Sequence, residues 1–126
     1  MLLIGHELIP FNPLYPIEEI DEIDQIPPKS TVLFEYNPQL ILHCQKNNIA
    51  FALHVSNTTE AIVGNGAGAT LLIASMHLAI ELQKLAENYL FDAKIAVMEE
   101  NESSIANVAK HGIDALILPK GIVSWK

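Results

Sequence analysis

From Thr31 onward the chain repeats itself. Thr31–Val55 lies on Phe51–Ser75 without a gap, and Ala50–Ser75 lies in the same way on Lys94–Pro119, with Gly68 over Gly112. In both registers one short apolar run falls on another, and Asn37, Asn57 and Asn101 coincide just beyond it. This unit narrows the possible folds sharply. A short run that is apolar throughout, with no polar alternation, is buried on both faces, as strands of parallel sheets are. Parallel neighbours need a long return connection, and a helix supplies it. An Asn at the junction suits a helix N-cap, because its side-chain oxygen accepts an orphan N–H of the first turn.

The repeat predicts strands at Val32–Phe34, Phe51–Val55, Leu71–Ala74, Ile95–Met98 and Ala115–Leu118. Helices are expected over Asn37–Asn47, Thr58–Ala67, Met76–Phe91 and Ser103–Lys110. Pro38 fits the first position of its helix, where a missing N–H matters least, and Glu60 three past Asn57 has capping-box spacing. Leu78, Leu82, Leu85 and Tyr89 recur at helical spacing and mark a core face. Gly68 and Gly112 suit C-caps, and Gly64-Asn65-Gly66, at a helix end, suits close helix packing better than a phosphate cradle. The expected fold is a three-layer α/β domain with a mostly parallel sheet of about five strands. Its sheet is either half-barrel-like or flavodoxin-like.

Residues 1–30 differ. They hold Pro10, Pro13, Pro16, Pro27 and Pro28, five of the seven prolines, which preclude a long helix. An extended piece at Leu2–Ile4, an irregular wrap and a short helix near Ile17–Ile23 are expected, with Ile17, Ile20 and Ile23 anchoring that helix. The whole of 1–126 then forms one domain, a Pro-rich N-terminal wrap followed by the repeated core. Half of the residues are apolar, enough for a packed interior.

The net charge is −8, and all seven basic residues are Lys. Such a surface repels phosphate backbones, so a nucleic-acid partner is not expected. Cys44 is the only cysteine, which leaves no internal disulfide or thiolate cluster, and its helical setting suits an inert thiol. Met1–Glu7 carries no basic signal-peptide region and no run is long enough for a membrane span, so a cytoplasmic protein without a membrane partner is expected.

The segment Phe51-Ala-Leu-His-Val-Ser-Asn-Thr-Thr-Glu60-Ala-Ile, followed by Gly66-Ala-Gly-Ala-Thr70-Leu-Leu-Ile, resembles one unit of a phosphate-binding (βα)8 barrel. The type is that of indole-3-glycerol-phosphate synthase and its relatives. Lys94–Leu118, ending His111-Gly-Ile-Asp114-Ala-Leu-Ile-Leu, is similar to the alanine-rich helix, Gly-Ile-Asp and strand of the same barrels. A whole barrel needs eight strands and at least about 200 residues, so the resemblance implies part of one. By its position past the fifth strand, Lys120 is the nearest candidate for a catalytic residue that the resemblance offers.

Ligands of open parallel sheets bind beyond the carboxyl ends of the strands. There the chain places Glu35 and Tyr36, His54 and Ser56, Ser75 and His77, Glu99 and Glu100, and Pro119 and Lys120. One chemistry is acid–base or Schiff-base work, with Lys120 as nucleophile or cation and Glu99 or Glu35 as base. His54, Ser56, Ser75, His77, Asn57 and Asn101 would contact the ligand. A metal site from His54, His77 and Glu99 or Glu35 matches no compact ligand motif, so neither metal nor cofactor is assigned. His6 reaches this rim only if the N-terminal segment folds over the strand ends; a surface turn is its simpler placement. The expected function is binding of a small anionic or phosphorylated metabolite. Two alternatives stand beside it: a non-catalytic homo-oligomer, as a dimer, since exposed sheet edges invite pairing, and a receiver-like regulatory domain. The last expects a phosphorylatable Asp where these strands carry Glu and Ser.

Overall fold

A computed structural model describes residues 1–126. Seven strands form one sheet: β1 (Leu2–Ile4), β2 (Leu14–Pro16), β3 (Thr31–Glu35), β4 (Phe51–His54), β5 (Leu71–Ile73), β6 (Lys94–Met98) and β7 (Ala115–Ile117). Their order is β1-β7-β6-β5-β4-β3-β2, and every pairing is parallel. Four helices, α1 (Pro38–Lys46), α2 (Thr58–Ala67), α3 (Met76–Tyr89) and α4 (Ile105–Lys110), return the chain between consecutive strands from β3 to β7. The repeat is therefore real in three dimensions. All five expected strands and four expected helices are present, within a few residues of their expected ends.

The caps show why the helices start where they do. Asn37 Oδ1 accepts the N–H groups of Gln39 and Leu40 at 3.0 and 3.3 Å, with Pro38 at the first position. Asn57 Oδ1 accepts that of Glu60 at 2.9 Å. The Glu60 carboxylate returns not to Asn57 but to the N–H of Ser56, at 2.8 Å. Asn101 has the same extended backbone but makes no side-chain cap. A 3-10 turn, Glu102–Ser104, intervenes before α4.

Strand alternation sorts the core into two clusters. Val32, Phe34, Leu53, Leu72, Ile95, Val97 and Leu116 face the helices, and every buried apolar side chain of the four helices packs on that side. The opposite face holds Ile4, Leu14, Leu33, Ala52, Leu71, Ile73, Ala96, Ala115 and Ile117, with only Phe11 and Ile122 added from outside the strands. Ile4 and Leu14 come from opposite edges of the sheet yet share this cluster, so the sheet is curled into a half-barrel. Helices on one face and strand side chains filling the other replace the three layers expected from sequence, and the flavodoxin-like alternative falls with them. Strands in sequential order with all crossovers on one side can only curl about the face left bare.

The two strands beyond the expected five come from the N-terminal segment. Leu2–Ile4 joins β7 as an edge strand, and the irregular wrap contains β2, whose Pro16 is tolerated because β2 lies at the sheet edge. The expected helix at Ile17–Ile23 is instead a 3-10 turn over Ile20–Gln25. Ile17 is buried and Ile23 partly so, but Ile20 faces solvent.

The C-terminal segment draws the edges together. Leu118 N–H donates to the Ile4 carbonyl at 2.8 Å, and Val123 N–H donates to the Leu14 carbonyl at 2.9 Å. Trp125 Nε1–H donates to the Pro16 carbonyl at 2.8 Å, so the sole Trp caps the β2 edge. Gly5, at φ +103°, and Gly121 make this approach possible. A Cβ on Gly5 would stand 2.5 Å from the Gly121 nitrogen.

Gly64 is a packing glycine. A Cβ there would sit 2.8 Å from Leu53 Cδ1 and 3.0 Å from Leu72 Cδ2, both on fully buried residues. Gly64→Ala is expected to destabilise by about 1–3 kcal/mol through overpacking. Gly66→Ala, two residues on with nothing within 4 Å, is expected to stabilise by about 0.5–1 kcal/mol. Urea midpoints of the two variants against wild type check both signs.

Candidate functional site

Three cavities open along the carboxyl ends of the strands. Two adjoin: one of about 480 Å³ lies towards β2, and one of about 400 Å³ lies towards β5. Glu35, Tyr36 and His54 line both. Glu35 and His54 are register partners across β3 and β4, two residues beyond inward-facing Leu33 and Ala52. Alternation therefore aims both side chains at the mouth of the curl. Tyr36 N–H donates to the His54 carbonyl at 3.0 Å, which holds the two strand ends together. Ser56, Glu60 and Ser75 complete the smaller cavity. Glu60 is committed to the Ser56 N–H, and Ser75 Oγ to the Leu78 N–H at 3.4 Å as the N-cap of α3.

Burial lowers the pKa of His54 from its ordinary 6.5, and the nearby Glu35 carboxylate opposes that shift without overcoming it. Around neutral pH this imidazole is uncharged, with a lone pair free for a ligand donor or a proton. Partly desolvated titratable groups in a cleft at strand ends have the character of binding and catalytic sites.

The third cavity, about 570 Å³, lies over the ends of β1, β6 and β7 and holds Lys120, His6, Asn101, Ser103, Glu100 and Glu102. His6 opens a turn, its carbonyl accepting the Ile9 N–H at 3.1 Å, and that turn lies over the strand ends. Its Nδ1 accepts the Leu8 N–H at 3.2 Å, and Nε2 stands 3.3 Å from Glu102 Oε2. This pattern sets the proton of the neutral ring on Nε2, donated to Glu102. Lys120 takes part in none of the ion pairs.

The expected residues thus fall into separate groups. Glu35, His54, Ser56 and Ser75 come together, while Lys120 and Asn101 line the other cavity. Glu99 lines neither: Ala96 faces inward, and alternation from it turns Glu99 to the helix side and brings Glu100 to the cavity. Asn57 is occupied as the cap of α2. His77 lies on the solvent side of α3 with its side chain 93% exposed, 3.8 Å from Glu81. No three His, Cys, Asp or Glu side chains stand close enough to hold a metal ion, so His54, His77 and a glutamate do not assemble as ligands. Counting the period-2 alternation from Ala96 would have chosen Glu100 over Glu99. The sequence left His6 open between the rim and a surface turn, because its placement rests on the β1–β7 pairing.

No protein-family model matches the chain, and no curated protein matches it either.

Two predictions follow from the titrating groups. His54 is neutral in the folded protein at pH values where the unfolded chain already takes up a proton. It therefore contributes stability that is complete above about pH 6.5 and is lost as pH falls below it. His54→Gln is expected to flatten the fall in urea midpoint between about pH 7 and 5.5 relative to wild type. Cys44 is fully buried, and burial pushes its thiol up to about 11. Its reaction with a disulfide reagent at neutral pH is expected only in denaturant, not in the folded protein.

Proposed function

We propose that the protein binds a small metabolite bearing one anionic group, a carboxylate or a phosphate, at the carboxyl rim of its curled sheet. The observation that carries this reading is the Lys120 cavity. Its lysine has no carboxylate partner and shares the cavity with the polar side chains of Asn101 and Ser103. Glu7, Glu100 and Glu102 line the same space, which disfavours polyanions and favours a ligand whose remaining groups are hydroxyls or amines. The likeness of the βα units to phosphate-binding barrels of the indole-3-glycerol-phosphate synthase type supports a ligand at this end. Neutral His54 beside Glu35 is the rim's best-placed proton acceptor, available to a second ligand group or to general base catalysis. The same reading places the protein in the cytoplasm, and no helix is long and apolar enough to cross a membrane.

A thermal-shift screen against carboxylated and phosphorylated metabolites tests it. A ligand at about a hundredfold its Kd is expected to raise Tm by several degrees in a domain of this size. Lys120→Ala removes that shift if the anion sits in its cavity. Stabilisation that survives Lys120→Ala but fails in His54→Ala moves the site to the neighbouring cavities. No shift with any such metabolite overturns the proposal.

Self-association has its own observation. Ile62 and Val63 lie on the outer side of α2, each about half exposed, and Leu42 of α1 is exposed as well. Gln45 Nε2 of α1 donates to the Ala67 carbonyl at 2.9 Å, which sets the two helices side by side. A dimer through this face is expected to give a doubled mass in light scattering that Ile62→Glu returns to the monomer value. A wild-type monomer at high concentration refutes it.

A further inference from the structure

We propose that the opposite, amino-terminal mouth of the curled sheet is a second small-molecule site, shaped for a free amino acid with an apolar side chain. A cavity of about 560 Å³ opens there, within the size range of ligand pockets. Its floor belongs to the inner face of the sheet. Ile4, Leu14 and Leu71 are 6%, 2% and 5% exposed, and Phe11 packs beside them. This floor excludes water from one end of a ligand and offers that end only apolar contact.

The lip is polar and carries both signs of charge. Asp92 and Lys94 line it on either side of Ala93. Ala93 is buried in the helix-side cluster, and its N–H is held by Asn65 Oδ1 at 3.0 Å. Lys94 opens β6, shares its face with inward Ala96 and pairs in register with Leu71, and Asp92 lies in the bend just before the strand. Neither group joins an ion pair, so both charges are open to a ligand. An α-amino acid can pair with both: its carboxylate meets the Lys94 ammonium, its ammonium meets the Asp92 carboxylate, and its side chain lies on Leu14 and Leu71. A purely anionic ligand would leave Asp92 repelling it, and a purely cationic one would leave Lys94 doing so. This site is independent of the one proposed at the carboxyl rim.

Isothermal titration of the full chain tests the proposal with four probes: leucine, phenylalanine, 4-methylpentanoate (leucine without its amine) and 3-methylbutylamine (leucine without its carboxylate). Saturable binding of leucine or phenylalanine is expected, with each singly charged analogue weaker by about tenfold or more, the usual loss with one charged hydrogen bond. Asp92→Asn and Lys94→Gln, both at exposed positions, are each expected to weaken the amino acid to the same degree, while Lys120→Ala leaves its affinity unchanged. No saturable binding of either amino acid overturns the proposal, as does an analogue that binds equally well. Binding lost with Lys120→Ala and kept in Lys94→Gln also overturns it, and assigns the amino acid to the carboxyl rim instead.

Discussion

The curl of the sheet depends on how little room its inner face needs. Ala52, Ala96 and Ala115 leave room on the inner faces of β4, β6 and β7 beside the larger Leu33, Leu71, Ile73 and Ile117. With them in place, Ile4 and Leu14 from the two edges meet over one small cluster, and no helix is needed on that side. The helix-facing side has the opposite character. Leu53, Leu72, Ile95 and Leu116 are large and fully buried, and they meet the helices across a tight seam that requires Gly64. Helices on one side only leave the sheet free to bend around its bare face.

That bend creates both mouths. At the carboxyl end, Glu35 and His54 continue the inner-face rows of Leu33 and Ala52, so polar side chains stand where the interior stops being filled. At the amino end, Lys94 continues the row of Ala96 in the other direction, beside the apolar floor of Ile4, Leu14 and Leu71. A flat sheet with helices on both faces would bury these rows or spread them along a line. The edges need a separate device. Gly5 and Gly121 come within backbone contact, and the segment ending in Trp125 runs from β1 to β2, with Lys126 2.7 Å from Glu22 beyond it.

Much of the architecture was legible in the chain because it rests on local periodicity. The apolar runs, Asn37 and Asn57 as caps and Gly68 as a left-handed C-cap depend on a few neighbouring residues, and they stand where the repeat put them. Candidate residues on the strand ends were legible for the same reason, since the end of a strand is a local feature. Glu99 was the wrong choice for the cavity although alternation was available to exclude it. Asn101 shows the limit of the repeat: the same residue with the same backbone caps nothing, because the turn after it takes a 3-10 form.

What the sequence determined by itself was the unit: a strand buried on both sides, a capped helix and a parallel return. What only the tertiary structure decided was how the units add up. Leu2–Ile4 was legible only as an extended piece and Leu14–Pro16, set among prolines, not at all, and both become strands by pairing with β7 and β3. The division of Glu35 and His54 from Lys120 was likewise set by the curl, since it depends on which strands are neighbours. Backbone pairing partners lie far apart in the chain, and no local pattern records which edge a short segment will find.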